Sequence, residues 1–490
     1  MRWIALPLVC AVIAGVAATA ATARMDARSS LPTATTGPTA PLATGLVGRE
    51  FQGSERTTAD AMAAAAGVSY IRLMVPWAAI APKTLPASGF DPTDPTSPYY
   101  DWGGLDATVS SVQAAGLTPI LDIVRTPDWA YKVLPGTWSG GSPNLAQLRA
   151  FATAIARHYD GSGPTAAVHA FSVWNEANFT KNLYPQSPAY YRSMVNAVAD
   201  GVHGVDRSDL VIAGELAPFR HTKTTKDRNN TIPPMTFMRA MLCISNTTPA
   251  KRTCAAQARF DVWAHHPYSD TGPYGKAKST GGVELGDLPK MGALLQTAEQ
   301  LGAIASAQPV QFWVTEFGWS SNLPNKHGVP MDLEARWVPE SMYQMWQSGV
   351  TVGFWYLLED RPAQTPFQSG LYFRSSPLAD AKAKPLLTPF TFPFVAYLKP
   401  HGKVFIWGRD ATSDTQNVAI QRQTRRGGKW TTVATITSNS DGIFTATLAL
   451  GATYLDSLRA SAPGSGTSRG FALTVPRNEN MDVTPFPNGG

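Results

Sequence analysis

Eight apolar runs of strand length, separated by helical patterns, limit this chain to very few folds. The runs are LVGREF (46–51), SYIRLMV (69–75), LTPILDIV (117–124), VHAFSVWNE (168–176), DLVIAGE (209–215), RFDVWAHH (259–266), VQFWVTEF (310–317) and VTVGFWYL (350–357). Between them lie TTADAMAAAAG (57–67), LDATVSSVQAAG (105–116), LAQLRAFATAIARHYD (145–160), AYYRSMVNAVADGVHGV (189–205) and MGALLQTAEQLGA (291–303). Several of these end in Gly, which a helix C-terminus favours. Near-continuous apolar runs suit strands buried on both faces, so βα units over 45–400 predict an α/β fold, a (β/α)8 TIM barrel. A doubly wound sheet is the other α/β solution, but no glycine-rich phosphate loop follows any strand.

After residue 400 the pattern alternates at period two in KVFIWGRD (403–410), NVAIQRQT (417–424), KWTTVATIT (429–437) and GIFTATLAL (442–450), with RRGG and NSDG as turns. A small C-terminal antiparallel β-sandwich of Ig/fibronectin-like type is expected over 401–475, with a polar tail over 476–490. At the other end, 1–23 reads as a secretory signal peptide closing on Ala21-Thr22-Ala23, and 24–44 as a Ser/Thr/Pro-rich linker. Export leaves Cys243 and Cys254, eleven positions apart, to form a local disulfide. With 16% charged and 10% aromatic residues the chain is not disordered, and its net charge of +6 is spread too thinly for a nucleic-acid footprint. No stretch beyond the leader is long enough to span a bilayer, so a secreted or cell-surface monomer without stable membrane insertion is expected.

In a barrel, reactive groups come from the C-terminal ends of strands. Trp174-Asn175-Glu176 ends the fourth run, and Val314-Thr315-Glu316 ends the seventh, followed by Phe317-Gly318-Trp319. A carboxylate behind five buried residues costs free energy unless it is paired or used. Strands four and seven face each other across the barrel mouth, and opposed carboxylates are what glycosidic cleavage needs. Glu215, Asp122, Glu359 and Asp360 are weaker candidates, as sugar contacts or salt-bridge partners. Neither a metal nor another cofactor is called for.

FSVWNEAN (171–178) together with WVTEFGW (313–319) resembles the retaining (β/α)8 glycoside hydrolases of clan A, particularly family 39 and the cellulase-like family 5. The resemblance spans roughly 45–400. It implies Glu176 as acid/base, Glu316 as nucleophile and Asn175 as donor to the sugar 2-hydroxyl. It further likens Arg72 to the strand-two arginine near the nucleophile, His266-Pro267-Tyr268 to the strand-six His-x-Tyr, and Trp355 to the strand-eight tryptophan under the sugar ring. Thr126-Pro127-Asp128-Trp129, where family 5 usually carries a histidine, looks nearer to family 39. On this reading a carbohydrate is the substrate, Glu316 is ionised beside Arg72 and Tyr268, and Glu176 starts protonated.

Trp77, Trp129, Trp174, Phe179, Trp319, Trp355 and Tyr356 stand at or beyond strand ends, where they are expected as sugar platforms or as core. The stretch from Pro218 to Phe260 follows strand five and is read as a decorated loop, or as a cleft wall kept ordered by the disulfide. The sandwich is read as a support packed on the barrel, with glycan binding as the alternative. Transglycosylation on the same fold and a catalytically silent glycan-binding barrel remain alternatives to hydrolysis. Asn178, Asn229 and Asn246 stand in N-x-Ser/Thr sequons.

Overall fold

The computed structural model describes residues 40–136, 140–218, 230–363, 365–412, 415–425 and 427–483. The leader, most of the linker, Asn229 and the end of the tail lie outside the described residues. Eight parallel strands close into a barrel in sequence order. They are β1 (Ala43–Val47), β2 (Tyr70–Pro76), β3 (Thr118–Val124), β4 (Ala170–Val173), β5 (Leu210–Leu216), β6 (Val262–His265), β7 (Gln311–Phe317) and β8 (Val350–Tyr356). Each expected run overlaps one of them, the run at 46–51 only at Leu46 and Val47. The first starts earlier than expected, and Ala40 and Leu42, assigned to the linker, are buried in the core. β1 closes the ring by pairing with β8, from Ala43↔Val352 to Val47↔Tyr356.

Two apolar layers follow from the period-two geometry of a strand. Val47, Tyr70, Ile120, Ala170, Ile212, Val262, Ala264, Trp313, Val352 and Phe354 form one cluster to which every barrel strand contributes, the filled interior. Gly45 makes room there, because a Cβ on it would sit 2.3 Å from the Phe354 ring. The alternate residues face the surrounding helices α1 (Arg56–Ala65), α2 (Gly103–Ala114), α3 (Leu145–His158), α4 (Pro188–Val202), α5 (Pro234–Leu242), α6 (Leu288–Gln300) and α7 (Met331–Gln347). Asn144 and Ser187 cap α3 and α4 by accepting from backbone N–H groups.

Cys243 and Cys254 form a disulfide. Cys243 caps the C-terminus of α5, and Arg252 nearby donates to the carbonyl of Gly302, just past the C-terminus of α6. Barrel helices run antiparallel to the strands, so this is the face opposite the strand C-termini. The disulfide therefore cannot order a wall of the cleft. Closing so short a loop contributes about 3 kcal/mol at most.

The antiparallel region begins at β9 (Phe394–Lys399), before the expected 401, and continues through β10 (Lys403–Arg409), β11 (Asn417–Gln423), β12 (Thr431–Thr437), β13 (Ile443–Ala449) and β14 (Ser457–Ala462). β9, β10 and β13 form one sheet; β12, β11 and β14 form the other with two short strands at 466–467 and 471–472. Trp407 of β10 is fully buried against Tyr343 and Trp346 of α7, at ring separations of 5.6 and 5.8 Å. The tail also packs. Glu479 accepts from Arg336 Nε at 3.0 Å and from Trp337 Nε1 at 3.0 Å, and Val483 N–H donates to the Asp270 carbonyl.

Candidate active site

Arg72 points from β2 into the barrel and bonds Asp122, Asn175, Glu215 and Glu316 at the strand C-termini. Its Nε and Nη2 donate to the two oxygens of Glu215 at 2.9 and 2.6 Å. Nη2 also reaches Asp122 Oδ2 at 2.8 Å and Asn175 Oδ1 at 2.9 Å, and Nη1 reaches Glu316 Oε1 at 2.9 Å. One guanidinium thus joins β3, β5, β7 and the turn after β4. Its rigid fork of five donors suits this role better than a lysine ammonium.

Backbone irregularities aim the acids. The β5–β6 register shifts between Gly214 and Leu216, and the β7–β8 register shifts opposite Glu316, between the pairs Val314↔Gly353 and Phe317↔Trp355. Such bulges turn inward a side chain that strict alternation would send out. Gly214 has φ of 103°, and a Cβ there would sit 2.3 Å from the Ala264 carbonyl oxygen. Glu215 at φ 47° and Glu176 at φ 47° adopt the left-handed conformation, and Glu176 N–H is anchored by the Glu215 carbonyl at 3.0 Å.

Glu176 and Glu316 meet at one imidazole. His266 Nδ1 is 3.2 Å from Glu176 Oε1 and 3.8 Å from Glu316 Oε2, and the Tyr268 hydroxyl donates to Glu316 Oε2 at 2.7 Å. Their side chains retain 20% and 13% exposure, whereas those of Arg72, Asp122 and Glu215 have none, so these two alone of the four acids can touch a substrate. Burial pushes the Glu316 carboxyl up, but the charges of His266 and Arg72 and the bonds from Tyr268 and Arg72 hold it below the ordinary range. Burial lowers His266, yet Glu316 and Glu176 together raise it above its usual value.

Several expected substrate contacts have other roles. Arg72 and His266 have no accessible side-chain surface; they hold the carboxylates instead of touching a sugar. Trp355 is fully buried, donates to the Ser369 carbonyl at 2.6 Å and packs edge-on against Phe317. The reason is strand parity. Phe354 faces the interior, so Trp355 faces the helices and Tyr356 faces the mouth. Trp319 is likewise buried against Trp337, and Trp77 is stacked on Phe151 beneath α3. Trp129, half-buried, donates to the Pro82 carbonyl. Asn175 keeps partial exposure, and Tyr356 lies between Tyr268 and Phe367 at 6.2 and 5.2 Å.

Accordingly, Trp355→Ala should cost about 3–5 kcal/mol of stability in urea denaturation, whereas Tyr356→Ala should act chiefly on KM. Equal effects of the two on KM would contradict this orientation. Glu359 pairs with Arg374 and Asp360 with buried Lys384, outside the Arg72 cluster. Asn178 is fully buried and bonds Ala217 and Ile232, so that sequon is closed. Among the described residues, no group of three or more His, Cys, Asp or Glu is placed to hold a metal ion.

No protein-family model and no curated protein matches the sequence. Among solved structures the chain is similar to a GH39 enzyme from Xanthomonas axonopodis pv. citri, at 14% identity over 88% of this chain and 95% of that one, with a TM-score of 0.49. It is similar to a monomeric beta-xylosidase from Caulobacter crescentus CB15, at 13% identity over 87% and 96%, TM-score 0.49. A GH30 endoxylanase from Clostridium papyrosolvens C71 aligns at 13% identity over 85% and 96%, TM-score 0.42. The barrel stands on its own strand pairing and takes nothing from these likenesses.

Proposed function

We propose that this protein is a glycoside hydrolase of the retaining type, cleaving β-linked O-glycosides through a covalent intermediate on Glu316. The observation that carries the reading is the convergence of two solvent-reaching carboxylates on His266 Nδ1, one of them clamped by Arg72 and Tyr268. Retaining enzymes set their two carboxyls about 5–5.5 Å apart and inverting enzymes about 6.5–9.5 Å apart. A shared imidazole nitrogen favours the shorter spacing. Glu316 attacks the anomeric carbon while Glu176 delivers a proton to the departing oxygen. Glu176 then takes a proton from the water that breaks the glycosyl ester, restoring both groups.

Asn175, its Oδ1 held by Arg72, has its amide NH2 left for a sugar hydroxyl, and Tyr356 with Phe367 offers an aromatic wall. Export fits the Cys243–Cys254 disulfide. A secreted monomer is part of the proposal; among the described residues no helix is long and apolar enough to cross a membrane. A panel of aryl glycosides and polysaccharides, with NMR of the first-formed anomer, tests the proposal. Retention of configuration is expected. Inversion would remove the covalent intermediate, and no cleavage of any glycan would remove the enzyme reading.

A further inference from the structure

We propose that Asp122 keeps a proton on Oδ1 while Glu316 is ionised, and that this neutral acid is a positioning residue that leaves the Arg72 charge to Glu215 and Glu316. Only the kinetic arm of its test rests on the reading of Glu316 as nucleophile.

Donor supply decides where the proton sits. Four carboxyls, Asp122, Glu176, Glu215 and Glu316, crowd two cationic side chains, Arg72 and His266. Glu215 takes two guanidinium N–H groups, one on each oxygen. Glu316 receives Arg72 on one oxygen and Tyr268 on the other. Asp122 receives a single bond, on Oδ2, from a nitrogen it shares with Glu215 and Asn175. Its Oδ1 is buried and has no donor at all.

The neighbouring strand offers no relief. Ser172 pairs with Asp122 in the β3–β4 register, yet its hydroxyl does not bond Oδ1. An ionised oxygen that is dry and unbonded costs far more than the same oxygen carrying hydrogen. The charged groups facing Asp122 are Arg72 from β2, Glu215 from β5, His266 just past β6 and Glu316 from β7. Burial first, and the charge of Glu215 next, push the Asp122 carboxyl up to about 8. Ionised, Asp122 would compete with Glu316 for Arg72; protonated, it still accepts from Nη2 on Oδ2 and fixes the fork.

Infrared difference spectra of the wild type against Asp122→Asn test this without any substrate. At about pH 6, the wild type should show a deuterium-sensitive carbonyl stretch of a protonated carboxyl that the variant lacks and that disappears on alkaline titration. Loss of carboxylate bands alone from the variant would overturn the proposal. In the kinetic arm, Asp122→Leu should lower kcat about tenfold or more, and Asp122→Asn should recover most of that loss, because its amide oxygen accepts from Arg72 without bringing a charge. Equal impairment of the two would contradict a neutral positioning group. If Asp122→Leu does not fold, the spectrum decides alone.

Discussion

Replacing Glu316 by Gln is expected to lower kcat by roughly 10⁴-fold or more, the scale seen when a covalent nucleophile is removed, if Glu316 is the nucleophile we propose. The substitution keeps the side-chain shape and leaves an amide oxygen for Arg72, so a folded but inactive protein is expected. Glu176→Gln should cost about 10² to 10⁴, and less for aryl glycosides whose leaving groups depart without a proton. A Glu316→Gln variant turning over at the wild-type rate would sink the assignment of both residues. The acid side of the pH profile carries the same information. Because Glu316 is held below the ordinary carboxylate range, the wild type should stay active as pH falls past the usual glutamate value of about 4.3. The stability contributed by that depressed carboxyl follows the same course: it is present above the unfolded-state value and lost as pH drops through the folded one.

Arg72→Met should destabilise the protein by about 3–5 kcal/mol at neutral pH, the cost of stranding buried charges by removing their partner. Glu215 loses two bonds, and Asp122, Asn175 and Glu316 lose one each. The sign of the pH dependence is distinctive. Stranded carboxyls take up protons as pH falls, so the gap from the wild type should narrow from about pH 7 towards pH 5 in urea denaturation. A gap unaffected by pH, or smaller than about 1 kcal/mol, would mean that Arg72 does not neutralise the acids it touches. Turnover should be lost as well, since Glu316 would keep Tyr268 but no guanidinium.

The barrel was legible because eight buried strands separated by amphipathic helices have few other solutions, and so was the placement of Glu176 and Glu316 at the barrel mouth, because each stands just behind an apolar run. Parity was not legible. VTVGFWYL is apolar on both faces, so nothing in it says that Trp355 turns outward and Tyr356 inward. Glu215 was undervalued for a related reason: simple alternation from Ile212 places it outside, and only the bulge beyond Gly214 brings it to Arg72. α7 escaped notice because Pro339 stands within it and because Glu334 and Glu340, both buried, break its apolar stripe. β14, SLRASA, has too little hydrophobic contrast to announce a strand.

The docking of 476–483 on the barrel has a consequence for how the molecule is made. Arg336 and Trp337 lie on α7, between β7 and β8, yet a partner of both, Glu479, follows 143 and 142 positions later in the chain. Contacts so distant in sequence are slow to form, because the loop between them must be closed first. During synthesis the barrel strands are complete long before Glu479 emerges, and until then Arg336 has Glu340 of its own helix as its acidic partner while the Trp337 indole N–H lacks the Glu479 carbonyl. The barrel is therefore finished by a segment that takes no part in its ring, and an arrest anywhere within the sandwich leaves a closed barrel with an open seam.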